Sequence, residues 1–305
     1  MIKITGPSEP NRRTTRRIAQ HVGVLFSVCV TGMLCARATP PPSLPPSEVL
    51  QRWAHPSVST LSFKGAKRVD DSLRNASPRN IYVVDASQSD ITDAGVNSLP
   101  RFQNLGSINL SHTNITDACS HGFAIPNVVA LDLSWTKITD AALPAFANCP
   151  KLHTLLLEGT QISKCNMPEL HNLENLDLNW CPVTNEAVEK LGSWTWLKML
   201  GLHHTKLTDE GITFLSGLEN LTNLDLGQTN VTSASIGCLL PLKKLESLNI
   251  SGTWTTDDSV PQLKQLKNLK ELDLRNTHLT KAGIDKLRET LPHCNIKTSE
   301  SPPGL

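Results

Sequence analysis

Apolar residues recur along this chain at a fixed interval. A unit begins at Ile81, Leu105, Val128, Leu152, Leu173, Leu197, Leu221, Leu245 and Leu269, with spacings of 24, 23, 24, 21, 24, 24, 24 and 24 residues. Within a unit the first, fourth, sixth and usually eleventh positions are apolar, as in Leu221, Leu224, Leu226 and Val231, and the ninth is usually Thr, here Thr229. Alternation at positions four and six is the period of a short strand, whereas later apolar positions such as Ile212, Leu215 and Leu218 follow helical spacing. Each unit therefore predicts a strand and a helical return. Thr92-Asp93, Thr116-Asp117, Thr139-Asp140 and Thr208-Asp209 fall where the return begins, and either side chain is suited to accept from a free helix-start N–H. One such unit cannot bury its apolar face alone, so the units must stack and the ends need caps.

These residues resemble the leucine-rich repeat family, over residues 58 to 296. The likeness is to bacterial repeats reading Leu-x-x-Leu-x-Leu-x-x-Thr-x-Ile-Thr-Asp-x-Gly-Leu. The sixth unit is the cleanest copy, with Leu197, Leu200, Leu202, Thr205, Leu207, Thr208, Asp209, Gly211 and Ile212. The resemblance implies an α/β fold: a right-handed solenoid with a parallel concave sheet and a helical convex side. It does not name a function.

The ends follow from the same register. Val58, Leu61 and Phe63 repeat the spacing 23 residues before Ile81, but Lys64, Lys67 and Arg68 make the unit degenerate, so residues 58–80 read as an N-terminal cap. Nine repeats fill 81–292, and 293–305 begin a further strand and a tail. Residues 39–57 form a Pro-rich linker with a short capping segment. Ahead of them, the basic run Asn11 to Arg17, the nearly uncharged Val22 to Ala36 and the triplet Ala36-Arg37-Ala38 read as the parts of an export signal. The uncharged stretch is 15 residues, short against the roughly 20 of a membrane-spanning helix. Residues 1–38 are thus expected to be a cleaved leader, with an N-terminal anchor as the alternative, and the protein to be secreted or held in the cell envelope.

Charge then narrows the partners. The whole chain has 29 Lys+Arg and 28 Asp+Glu; the first 38 residues hold six of the former and one of the latter, which leaves 23 against 27. A mature chain near −4 does not present the basic surface that phosphate neutralisation needs, so nucleic acid is not an expected partner. Six cysteines follow the leader, Cys119, Cys149, Cys165, Cys181, Cys238 and Cys294, at unmatched repeat positions, so free and mostly buried thiols are expected. No C-x-x-C, zinc spacing, phosphate loop or nucleophile–base pair is present, and His203-His204 are adjacent where a helical ligand pair is i, i+4. Neither enzyme activity, metal nor cofactor is expected.

Three columns of residues carry the remaining candidates. The ninth-position hydroxyls read as structural, each satisfying backbone groups that the stack would otherwise bury. The fifth position reads Asp85, Asn109, Asp132, Leu156, Asp177, Gly201, Asp225, Asn249 and Asp273, with Asp in every odd repeat. At a strand spacing of about 4.8 Å, successive acids lie too far apart to share a calcium ion. The alternation limits like-charge repulsion, or else provides an acidic strip for a peptide or glycan. The eighth position places Trp135 and Trp180 either side of Gly159, as walls of a slot for a planar or cationic group. Asp132, Glu158 and Asp177 would surround it, with His203 and His204 at its border adding pH sensitivity. Both rings lying flat on neighbouring loops is the alternative. The expected function is a non-catalytic scaffold that holds a protein, peptide or glycan on its concave face. An F-box-like adaptor for ubiquitination substrates and a purely structural envelope protein are the alternatives. Residues 39–57 are too few for an F-box.

Overall fold

The computed structural model describes residues 3–5, 59–77 and 80–299. Apart from residues 3–5, the expected leader lies outside that range, as does the linker at 39–57. The chain forms two compact units, one comprising Met1–Lys137 with Asn148–Leu152, the other Ile138–Ala147 with His153–Leu305.

The strands of the first unit are β1 (Lys3–Thr5), β2 (Ser59–Ser62), β3 (Ile81–Asp85), β4 (Ser107–Asn109) and β5 (Ala130–Asp132). β1 runs antiparallel to β2, and β2 to β5 pair in parallel, in chain order. The second unit contains β6 (Thr154–Leu156), β7 (Asn175–Asp177), β8 (Met199–Gly201), β9 (Asn223–Asp225), β10 (Ser247–Asn249), β11 (Glu271–Asp273) and β12 (Asn295–Lys297), all parallel and in chain order. Equal repeat lengths put like positions opposite one another: Leu200 pairs with Leu224, and Leu224 with Leu248. Positions four and six face the core, as with Leu176 and Leu178 or Leu224 and Leu226, all buried.

The ninth-position hydroxyl has the structural role expected of it. Thr205 Oγ1 donates to the Leu202 carbonyl at 2.8 Å, Thr229 to Leu226 at 2.6 Å and Thr253 to Ile250 at 2.6 Å, and the other Thr and Ser of the column repeat the bond. Cys181, the exception in sequence, turns its Sγ to the Leu157 carbonyl at 3.1 Å.

The Thr-Asp pair divides its work in a way the sequence left open. Thr caps its own return: Thr92, Thr116 and Thr232 each accept from the N–H two residues on. Asp instead reaches the next repeat. Asp93 accepts from the Thr116 N–H and hydroxyl, both at 2.7 Å, and Asp257 from those of Thr280 at 2.8 and 2.6 Å. The Gly three residues after the Thr follows from this clamp. A Cβ on Gly95, Gly211 or Gly283 would collide with Asp70, Asn185 or Asp257 respectively, the clamping residue of the preceding repeat.

Returns are less helical than the periodicity predicts. α1 (Val69–Asn75), α2 (Asp93–Val96), α3 (Asn185–Leu191), α4 (Asp209–Phe214), α5 (Val260–Leu263) and α6 (Lys281–Thr290) are α-helical, while 117–123, 143–148 and 233–239 are tighter 3-10 turns. The 21-residue fourth repeat forms no helix between Ser163 and Asn172, being three residues short and carrying Pro168.

Candidate functional site

The fifth-position column is built by turn chemistry. In seven repeats its Asp or Asn Oδ1 accepts from the N–H two residues later, at 2.9 to 3.1 Å, closing the turn that ends the strand. Asp and Asn serve equally, which accounts for both residue types in the column. In the sixth repeat Gly201 has no side chain for this bond, and the His203 N–H goes to Asn179 Oδ1 of the preceding repeat at 2.7 Å.

The eighth-position residue lies in the left-handed backbone region in all nine repeats, with φ from 54° to 67°. Gly159 and Gly252 occupy that conformation freely, whereas Trp135 and Trp180, both at φ 59°, bear a steric cost of roughly 1–2 kcal/mol. Each ring packs on a histidine ring of its own unit. Trp135 lies 6.0 Å from His112 with planes 6° apart, and Trp180 lies 3.9 Å from His204 at 32°. His204 Nδ1 in turn meets Gln228 Oε1 at 3.1 Å. Desolvation lowers the His112 pKa.

In the second unit these two columns meet the seventh position. β7, β8 and β9 set Asp177, Gly201 and Asp225 side by side. A Cβ at Gly201 would come within 2.7 Å of Asp177 Oδ1 and 2.8 Å of Asn179 Oδ1, so both oxygens lean into the gap that glycine leaves. His203 Nδ1 faces Asp225 Oδ1 at 3.4 Å, and Gly227 makes room for the imidazole. Its Nε2 is buried and has no hydrogen-bond partner among the described residues. The Trp180 ring lies 5.8 Å from that imidazole. Burial raises the Asp177 carboxyl to a pKa of about 6; the Asn179 N–H opposes the shift, Asp225 adds to it and His203 opposes it.

Models of a leucine-rich repeat match residues 124–147, 169–192 and 265–287. Among solved structures, a leucine-rich-repeat protein of Leptospira interrogans superposes with a TM-score of 0.56 at 21% identity, covering 72% of this chain and 55% of that one. Internalin C2 of Listeria monocytogenes superposes with a TM-score of 0.50 at 20% identity, over 76% of this chain and 90% of that one. The chain carries repeats that match the leucine-rich repeat family. Its fold is the α/β solenoid of that family. This chain spans just over half the length of the Leptospira protein, and no curated protein sequence matches it.

Within this leucine-rich-repeat fold, Trp180, His203, His204 and Asp177 come together in the second unit, joined by Asp225, Asn179 and Gly201. Glu158 lies two residues beyond β6 in the same unit and is buried, 5% exposed; Asp132 and Trp135 belong to the first unit, Asp132 being 3% exposed. The sequence contained one signal for the added members: an absent side chain at Gly201 between two aspartates of the same column.

Two further features escaped the repeat pattern. Where the fourth repeat lacks a helix, a cleft of about 410 Å³ opens, lined by Cys165, Asn166, Met167, Lys190, Ser193 and Trp194 among others. Trp254 is the exposed large hydrophobic residue of the described chain, its ring 5.2 Å from that of His278. The six described cysteines are free. No group of three metal-binding side chains occurs among the described residues, and no helix there is long and apolar enough to cross a membrane.

Proposed function

We propose that this protein is a non-catalytic recognition scaffold, exported from the cytosol, that holds a protein or peptide segment on the concave face of its sheet. The observation that carries this reading is the cluster at β7 to β9, where strained and half-buried Trp180, exposed His204, buried His203 and two aspartates share one patch. An indole beside hydrogen-bonding groups is the composition of an interface anchor. The hydroxyl column is engaged with backbone carbonyls, which supports binding over nucleophilic catalysis.

The test is capture of partners by the full chain, compared with Trp180→Gly. Glycine is the correct replacement at φ 59°, because it removes the ring without retaining the strained conformation. The reading expects a partner lost by a variant that still folds. Retention of every partner by that variant removes the concave patch as the binding site, and a glycan as the captured species replaces the peptide.

A further inference from the structure

We infer that the open face of Trp254 receives a pyranose ring, which makes the tenth-position row of the second unit a carbohydrate site distinct from the cluster at β7 to β9. The row reads Lys206, Asn230, Trp254 and His278 in repeats six to nine. Its last three members are fixed through the backbone. The N–H groups of Asn230, Trp254 and His278 donate to the carbonyls of Leu207, Val231 and Thr255 in the preceding repeat, at 3.0, 2.9 and 2.8 Å. Parallel bridges pair Asn230 with Thr208, Trp254 with Thr232 and His278 with Thr256. This second, short ladder holds the three residues in register, one strand spacing of about 4.8 Å apart.

Trp254 is 59% exposed, with Asn230 and His278 exposed on either side of it. One face of the indole is taken by His278, whose ring lies 5.2 Å away with planes 14° apart. Because His278 belongs to the following repeat, the other face turns toward the preceding one, where Asn230 stands. Among the described residues no second ring and no guanidinium lies on that face, and the Asn230 side chain makes no hydrogen bond. Gly252, two residues before Trp254, adds no side chain at the eighth position, which Gln228 and Asn276 fill in the repeats on either side. The space is thus bounded by an aromatic face and a neutral amide. A pyranose with equatorial substituents fits this pair. Its C–H face stacks on the indole, and its hydroxyls exchange hydrogen bonds with an amide that both donates and accepts. The other guest of an indole face is a cation, which Lys206 repels and which no carboxylate of this row holds.

The probe is cellotetraose, a glucose-configured chain, added to the full-length protein. It is followed through the NMR signals of the Trp254 indole, identified by their loss in Trp254→Phe, and of the Asn230 side-chain amide and the His278 ring. All are expected to shift saturably. Glucitol keeps the hydroxyls and lacks the ring, so it should cause no shift; a galactose-configured chain, whose axial hydroxyl crowds one face, should act more weakly. Trp254→Ala should abolish the response at Asn230 and His278, whereas Trp254→Phe and Asn230→Ala should each weaken it. The ring removed is exposed, so Trp254→Ala should keep the urea midpoint of wild type. No response to cellotetraose, an equal response to glucitol, a response that survives Trp254→Ala, or a preference for tetramethylammonium or an oligoproline over the saccharide overturns the inference. Trp180→Gly should leave the response intact; its loss there assigns the saccharide to the concave patch and removes the site at Trp254. A saccharide response that needs Trp254 and a captured partner that needs Trp180 are separate results, so either reading fails without the other.

Discussion

Asp209 and Thr232 lie in consecutive repeats and are joined twice, through the Thr232 N–H at 2.8 Å and its hydroxyl at 2.6 Å. Ser235 adds a third donor to the same carboxylate at 2.6 Å. This clamp ties the returns of stacked repeats as the sheet ties their strands. Asp209→Ala leaves a backbone N–H and two hydroxyls without their acceptor and is expected to cost about 1–3 kcal/mol in urea unfolding. Desolvation raises the Asp209 pKa, but the bonds from Ser235 and Thr232 outweigh it and leave the value lowered. A lowered folded value means the clamp acts in full above the ordinary carboxylate pKa of about 4 and is lost as pH falls through the folded value. The difference between wild type and Asp209→Ala should therefore narrow below about pH 4.

Glycines in the returns should separate into two kinds. A Cβ at Gly211 would collide with Leu207 Cδ1 and stand 2.5 Å from Asn185 Oδ1, whereas at Gly237 its nearest neighbour would be Gln262 Cγ at 3.8 Å. Gly211→Ala is expected to lose about 1–3 kcal/mol. Gly237→Ala should be neutral or gain up to about 1 kcal/mol, because a less flexible unfolded chain loses less entropy on folding. Equal midpoints for the two variants would remove the close-approach account of the Thr-Asp-x-Gly pattern.

Asp177 should oppose folding at neutral pH. Its folded pKa of about 6 exceeds the ordinary carboxylate value, chiefly through desolvation. The folded state then binds more protons than the unfolded state between about pH 4 and 6, and stability falls as pH rises through that window. Asp177→Asn keeps the acceptor for the Asn179 N–H and removes the half-buried charge. It should be more stable than wild type at pH 7, with the gain vanishing below about pH 4. Parallel pH–stability curves for the two proteins would contradict this assignment.

Thiol reactivity should follow burial. Desolvation pushes Cys119 up to about 12, with Asp93 and Asp117 adding to it, and pushes Cys149 and Cys181 up to about 11, with hydrogen bonds opposing the shift. Cys165 is raised for the same main reason. These four are buried, while Cys238 and Cys294 are partly exposed, Cys294 raised to about 11 by desolvation and then by Glu271. Alkylation of the native protein, mapped by mass spectrometry, is expected to label Cys238 first and Cys294 slowly, and to reach the other four only on unfolding.

The architecture was legible because stacking makes it periodic. The leucines at positions one, four and six, the ninth-position Thr and the restarting interval each reflect a contact that every repeat makes with the next, so nine copies report the same fact. The pairing of β7, β8 and β9 is fixed by that interval alone, and with it the neighbours of Gly201. What the tertiary structure decided lies in the side chains that leave their own repeat. Asp209 caps Thr232 and not its own helix; Asp177 and Asn249 close turns where charge alone suggested a strip. The fourth repeat forms no helix because three missing residues and a proline remove the length it requires. The placing of Trp180 is likewise tertiary: a left-handed backbone turns its indole onto His204, while Asp177 and the His203 imidazole take up the room left by glycines at 201 and 227. Periodicity records what every repeat does alike, whereas a site arises where neighbouring repeats differ, and the consequence of that difference depends on side-chain direction in three dimensions.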